Sequence, residues 1–359
     1  MVNTLHIFFD QGGFFSQNVI TKLNNEKHHF FYHYFKNEKF NNRIQHFNHD
    51  HSKFLDILIE NDIKKIYFHS LHYFQIKLLK KISSNIDVHW IFWSYEFYQL
   101  PFNLKNLYSK NNSTFLYRKL LSTFYEVFVN TFKHKTFPWY LLTKKLYLKQ
   151  IKRVDFFHSF IEDDYLEIFK DSINKPVFSF HSYLDKEEVN SFNLTKEKEA
   201  VMIGHSASPL QNHLEIIKKF TNSSFKGNLL FVLAYGNSKY KKQLLKHLSK
   251  QKKIEIETIL NKIPFEEYNN KISSVSHFIL NTYCQQGLGN IVFFLLNKTT
   301  IYLNPKSSTY QFLKRNGFYI FSTDEINSNI PLQSITEGQA IKNLELTTNL
   351  LSIKPSNQY

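Results

Sequence analysis

Two of the chain's nine glycines, Gly287 and Gly289, flank a single leucine in "NTYCQQGLGN", residues 281–290, just ahead of the apolar run "IVFFLL". A glycine turn between a strand and a helix lets backbone amides come close to a ligand, and a helix beginning near Asn290 would direct its positive end at that ligand. The natural ligand for such a turn is a phosphate. A second turn of this kind lies in "AVMIGHSASPLQNHLEII", where a β-run ends at Gly204 and a loop of small residues follows. There Ser208, Pro209, Leu210 and Gln211 read as an N-cap, a proline at the first helical position and a capping box closed by Gln211. Either turn alone is also what an ordinary strand-to-helix connection looks like. Two of them in one sheet would face one crevice and together suit a diphosphate, with the amides of Gly204–Ser206 and Gly287–Asn290, and His205 or His213, as hydrogen-bond donors.

Other chemistries are missing their residues. No Asp-x-Asp pair offers ligands for a divalent ion on a sugar diphosphate, so no metal and no other cofactor is expected, and helix dipoles would neutralise a leaving group instead. No G-x-x-x-x-G-K-[ST] loop is present. His49, Asp50 and His51 in "NHDHS" lack further ligands at zinc spacing and read as a solvated loop. Cys284 has no base partner in the sequence and reads as a packed side chain. As the single cysteine it rules out an internal disulfide and suits a reducing compartment.

The elements that would carry the two turns alternate along the chain. In the first half, "TLHIFF", "HHFFYHYF", "KKIYFHS" and "DVHWIFW" have strand character and are separated by helical patterns such as "FLDILIEND". Residues 101–153 interrupt the rhythm with long helical material before "VDFFHSF" and "KPVFSFHSY" resume it. The polar stretch "EEVNSFNLTKEKE", 187–199, reads as a linker. From "EAVMIGHS" onward a second series of six strand–helix alternations runs to "FYIFST". Such alternation predicts parallel βαβ units. Two Rossmann-like domains facing a central cleft are expected, 1–194 and 195–359, the layout of a GT-B glycosyltransferase. The helical stretch from Thr336 is expected to pack back across the first domain.

The chain has 359 residues, 42% of them hydrophobic and 17% aromatic, enough apolar surface for large cores. No apolar run approaches the ~18 residues of a membrane span. The N-terminus lacks the layout of a secretory signal, so a cytoplasmic protein is expected. The net charge of +15 is uneven: from Pro101 to Arg153 there are eleven Lys and Arg against one acid, Glu126. One explanation is a general bias toward Lys, Asn, Phe, Tyr and Ile. The other is attraction to an anionic membrane surface, because the basic residues are interleaved with bulky apolar ones in "FLYRKLLSTFYEVFV" and "FPWYLLTKKLYLKQIKR". Nucleic acid is not expected as a partner, since no zinc-finger spacing, RNP signature or clear helix-turn-helix is present.

These motifs resemble the TDP-N-acetylfucosamine:lipid II N-acetylfucosaminyltransferases, the 4-alpha-L-fucosyltransferase-like enzymes of enterobacterial common antigen synthesis. The family's G-x-S run and the helix start behind it are matched by Gly204, Ser206, Asn212, His213 and Glu215. Its Q-Q-G-I/L-G motif is matched by Gln285, Gln286, Gly287, Leu288 and Gly289. "LAYGNSKY", with Tyr235, "IPFEEYNNKI" and "LNPKSSTYQFL" resemble further family segments, so the likeness runs over roughly 198–326. In the first half only "WSYEFY" resembles a family motif, W-G-x-D-L-Y, with Ser94 in place of glycine and Glu96 in place of aspartate.

The resemblance implies inverting transfer of a sugar, of fucosamine type, from a nucleoside-diphosphate donor. The implied acceptor is a saccharide on undecaprenyl diphosphate, met at the inner face of the cytoplasmic membrane during synthesis of surface glycans such as O-antigen. It places Gly204, His205, Ser206, Asn212, His213, Tyr235, Gln285, Gln286, Gly287, Gly289 and Asn290 around the donor. Inverting transfer is a single displacement and needs a base for the acceptor hydroxyl. Glu96 and Asp10, each just past a strand of the first domain, are the candidates. The alternative is a non-catalytic nucleotide-sugar-binding or assembly protein of a polysaccharide pathway, which the changes at Ser94 and Glu96 would suit.

Overall fold

The structure is a computed structural model that describes residues 2–9, 16, 19–21, 23, 27–33, 44–46, 51–73, 75–104, 107–109, 143–178, 200–221, 225–327 and 332–352. Asp10, His49, Asp50, the linker at 187–199 and the 110–142 part of the basic segment lie outside the described residues. The chain divides into two compact units, Met1–Phe102 with Pro138–Ser179, and Asn103–Phe137 with Phe180–Tyr359.

The first unit is built on seven parallel strands: β1 Thr4–Phe8, β2 His29–His33, β3 Ile44–His46, β4 Lys65–His69, β5 Asp87–Ile91, β6 Phe156–Ser159 and β7 Lys175–Phe178. Their spatial order is β3-β2-β1-β4-β5-β6-β7. A parallel sheet is covered on both faces, which is why these strands read as nearly unbroken apolar or aromatic runs. Helix α1, His51–Glu60, shows how one covering element is specified: Phe54, Ile57 and Leu58, at positions 3 and 4 apart, are all buried.

One face of this sheet carries an unusual row. His6 pairs in register with Tyr67, Tyr67 with His89, and His89 with Phe156. Imidazoles link neighbouring strands directly: His6 Nε2 to His29 Nδ1 at 2.8 Å, His6 Nδ1 to His69 Nε2 at 3.0 Å, and His89 Nδ1 to His158 Nε2 at 2.9 Å. Neutral histidines suit such positions, since each ring has one donor and one acceptor nitrogen. Burial holds them neutral, lowering His89 to about 2 and His158 to about 4.

The second unit has six parallel strands: β8 Val201–Ile203, β9 Asn228–Val232, β10 Glu255–Ile259, β11 His277–Leu280, β12 Thr300–Leu303 and β13 Phe321–Ser322, in the order β10-β9-β8-β11-β12-β13. Counted within the sheet this is 3-2-1-4-5-6, the Rossmann order, and the progression reverses between β8 and β11. The turns after those two strands are therefore neighbours at the sheet's carboxyl edge. Val201, Ile203, Ile216, Phe231, Leu244 and Ile279 belong to the core beneath them.

Helix α2, Leu288–Leu296, follows the second of these turns and has Ile291 through Leu296 all buried. A helix apolar on every side must be covered on every side. Part of its cover is the final described helix, α3, Glu337–Ser352, which belongs to the same unit and packs on α2. Asn343 fastens α3 by accepting from Tyr319 N–H at 2.8 Å and donating to Tyr319 O at 2.9 Å.

Candidate functional site

The turn after β8 begins at Gly204, whose N–H donates to Ile279 O of β11 at 2.9 Å and whose φ is +68°. A Cβ there would stand 2.5 Å from His213 Nε2, so both conformation and space call for glycine. The helix expected to run on from Ser208 is broken. Ser208 caps Leu210 N–H at 3.3 Å and Pro209–Gln211 make one 3-10 turn, but Asn212 then turns left-handed, with φ +48°, before the α-helix restarts at His213. Gln211 does not close the expected capping box, because its side chain is used elsewhere.

That side chain joins the two glycine turns. Gln211 Nε2 lies 3.0 Å from His205 Nε2 and donates to Gln286 Oε1 at 2.8 Å, while Oε1 accepts from His205 N–H at 3.3 Å. An amide nitrogen only donates, so His205 Nε2 accepts and the ring proton sits on Nδ1, facing Tyr235 Oη at 2.8 Å. Burial lowers the His205 pKa to about 4, and the ring is a neutral imidazole at pH 7. Gly287, at φ +64°, rests against it: a Cβ on Gly287 would be 2.7 Å from His205 Cδ2.

Gly287 is also the N-cap of α2 and offers no side chain to cap the first turn. Gly289, in that first turn, is exposed, and a Cβ there would meet nothing within 4 Å. Asn290 Oδ1 accepts from Tyr268 Oη at 2.7 Å. The start of α2, with Gly289 exposed, is thus supported by Gln211, Gln286 and Tyr268, each fixed by hydrogen bonds. An anion at the start of α2 would meet oriented amides and the helix dipole.

Other residues singled out in the sequence have different placements. Asn212 is wholly buried and acts as a clip, with Oδ1 accepting from Ser109 N–H at 2.9 Å and Nδ2 donating to Leu107 O at 3.3 Å and Asn281 O at 3.0 Å. It holds Leu107–Ser109 in the second unit. His213 is wholly buried, with Nδ1 2.9 Å from Tyr240 Oη and Nε2 unpaired beside Gly204. Burial, with His205 second, lowers its pKa to about 3. Ser206 and Gln285 are buried, Cys284 is a buried free thiol, and Tyr235 is half-exposed.

The sequence reading passed over Gln211 as a bridge and over Tyr268, Asn281 and Asn304. Asn304 Nδ2 donates to Asn281 Oδ1 at 2.6 Å, and Thr323 Oγ1 donates to the same oxygen at 3.2 Å. These polar residues close the carboxyl ends of β11, β12 and β13. An asparagine directly after a strand, as in "FILN" and "IYLN", was the signal available for them.

In the first unit, Glu96 follows β5 and turns inward. Its Oε1 accepts from Trp90 Nε1 at 3.2 Å and Trp93 N–H at 3.0 Å, and its Oε2 is buried without a partner. Burial raises its pKa to about 7 against those hydrogen bonds, with Asp164 adding to the rise. Ser94 adopts φ +73° and ψ −45°, and Tyr95 N–H donates back to Trp93 O at 3.0 Å. That is a γ-turn of the strained kind, formed at a serine. Tyr98 Oη donates to buried Asp164 at 2.8 Å.

Among the described residues no group of three or more His, Cys, Asp or Glu is placed to hold a metal ion, and no helix is long and apolar enough to cross a membrane.

No protein-family model matches this sequence, and neither does any curated protein. Solved structures match it over nearly its whole length. Anabaena Alr3699/HepE in complex with UDP and glucose aligns at a TM-score of 0.55 and 10% identity, covering 98% of this chain and 94% of that one. Sucrose-phosphate synthase from Thermosynechococcus elongatus aligns at 0.57 and 8%, covering 98% and 90%. Trehalose-6-phosphate synthase, studied for glycosyl transfer with retention, aligns at 0.56 and 7%, covering 97% and 95%. With two parallel sheets, the second in Rossmann order, and these neighbours, the chain has the GT-B fold of glycosyltransferases.

Proposed function

We propose that the protein is a glycosyltransferase whose second unit binds a nucleoside-diphosphate sugar on the paired turns Gly204–Gln211 and Gln285–Asn290. The observation that carries this reading is the interlock of the turns: His205 under Gly287, Gln211 bonded to Gln286, and open space over Gly289 at an uncapped helix start. Amides at the start of α2 would take up the negative charge that grows on the departing diphosphate, with no metal in this role. UDP is the first nucleotide to try, because the Anabaena neighbour holds it.

The finer reading follows the family resemblance. Transfer would invert the anomeric centre, the sugar would be of fucosamine type, and the acceptor a saccharide on undecaprenyl diphosphate. The basic aromatic stretch 101–153 would attract the protein to the inner face of the membrane as a cytoplasmic, peripheral enzyme. The anomeric configuration of the first product, read by NMR, separates inversion from the retention studied in trehalose-6-phosphate synthase.

A second reading, a nucleotide-sugar-binding protein without turnover, is favoured by one observation: Glu96 is turned onto Trp90 and Trp93 rather than outward. Calorimetric titration with UDP, TDP, GDP, CDP and ADP tests the donor site common to both readings. One nucleotide should bind selectively, and Gly289→Trp should abolish binding by filling the space over the turn. No binding by any of the five to the folded protein would sink the proposal. Release of the nucleotide from its sugar conjugate then separates the enzyme from the binding protein.

A further inference from the structure

At the carboxyl ends of β4 and β5 three side chains meet. His72 Nε2 lies 2.8 Å from Tyr95 Oη and 3.1 Å from Ser70 Oγ, and Ser70 Oγ reaches Tyr95 Oη at 3.5 Å. The three come from two different strand ends, and two of them sit at or beside unusual backbone. Ser70 has φ +81°, and Ser94, directly before Tyr95, has φ +73°. Non-glycine residues in this region are strained and persist where the surroundings impose them, as they do at ligand clamps.

The surroundings here are specific. Glu96 Oε1 holds the Trp93 amide and so fixes the turn that presents Tyr95. Phe9, the residue after β1, packs its ring 3.7 Å from that of His72, centroid to centroid. In the seven-stranded sheet the order reverses between β1 and β4, so the group lies at the switch point where open α/β sheets take ligands. The other described histidines of β1, β4, β5 and β6 are buried in the sheet face, whereas His72 and Tyr95 are both partly open to solvent.

We infer that His72, Tyr95 and Ser70 form a saccharide-binding site, in which a sugar hydroxyl joins the imidazole–phenol–hydroxyl group beside the ring of Phe9. Groups that both give and accept hydrogen bonds, beside the partly exposed ring of Phe9, match the hydroxyls and C–H faces of a sugar ring. Under the proposed function the occupant is the acceptor. Glu96 is then a positioning residue that acts through Trp93 and the γ-turn.

The test is an array of immobilised mono- and oligosaccharides probed with the labelled full-length protein, wild type and the variants Tyr95→Phe, His72→Asn and Glu96→Gln. UDP affinity is measured on the same samples. Tyr95→Phe removes one oxygen from a partly exposed ring, so its melting temperature should stay within a few degrees of wild type. The wild type is expected to retain a defined set of glycans, and Tyr95→Phe and His72→Asn to lose at least tenfold in retention with UDP affinity unchanged. Glu96→Gln, which keeps the oxygen that accepts from Trp93, should retain glycans within threefold of wild type. Retention of no glycan by the wild type, or retention that survives both substitutions, overturns the inference. Binding of none of the five nucleotides by the wild type would instead overturn the proposed function, while the glycan retention of wild type and variants still decides the saccharide site.

Discussion

The imidazole of His205 lies directly against Gly287, so close that a Cβ on the glycine would stand 2.7 Å from His205 Cδ2. Gly287→Ala must therefore move the ring as well as hold a left-handed φ that costs an alanine roughly 1–2 kcal/mol. Nucleotide affinity should fall at least tenfold and the melting temperature of the second unit should drop by several degrees. Gly289→Ala, whose Cβ enters open space, should leave the melting temperature unchanged. Calorimetry and thermal melting on the two variants side by side check both statements.

Tyr268 steadies the start of α2 through its 2.7 Å bond to Asn290. Removing that hydroxyl costs one neutral hydrogen bond, about 0.5–1.5 kcal/mol. Tyr268→Phe should weaken nucleotide binding by roughly three- to tenfold by that estimate, with the fold intact. Equal affinity in wild type and variant would remove Tyr268 from the site.

Asn212→Ala is expected to be far more damaging than its position beside a loop suggests. It leaves the Ser109 N–H and the Leu107 carbonyl without their partner in a buried setting, a loss of about 2–4 kcal/mol. Chemical denaturation should show an earlier transition for the second unit, and proteolysis should cut near residue 107 in the variant but not in the wild type.

The histidine row makes the first unit sensitive to acid. His89 and His158 have folded pKa values of about 2 and 4, depressed by burial and, for His89, by His158 next. Below the ordinary value of 6.5 the unfolded chain takes up protons that the folded one refuses, so stability is present above pH 6.5 and is lost as the pH falls toward 4. Glu96 runs the other way. Raised from 4.5 to about 7, it contributes fully below pH 4.5 and loses its contribution as the pH rises through 7. Calorimetric melting of the first unit should fall between pH 7 and pH 5, since several histidines outweigh one carboxyl. Glu96→Gln, which cannot ionise, should raise the melting point at pH 8.

The strands were legible because parallel sheets write themselves as short apolar runs, and both glycine turns could be found from "IGHS" and "QQGLGN" alone. What the residues of one turn do was not legible. Gln211 looks like a capping-box partner three residues after Ser208, yet its amide is better satisfied by His205 and by Gln286, 75 positions away. Asn212 sits just behind the first glycine turn, but its partners at 107 and 109 are over a hundred residues upstream, beyond the reach of any local pattern. Edge strand β3, Ile44–His46, escaped notice because a three-residue strand with one aliphatic side chain has no periodicity to read. At "WSYEFY" the substitution of serine for glycine was visible, but the left-handed backbone that serine adopts there was not.

The cover that α3 gives to α2 sets an order of events during synthesis. Helix α2 begins at the proposed donor turn and cannot bury Ile291–Leu296 on every side until residues 337–352 are available to fold over it. The first unit's strands are complete by residue 178, so that sheet is free to form while the second unit is still being translated. On the ribosome, a growing chain can complete the first sheet before the turn proposed to grip a nucleotide becomes firm.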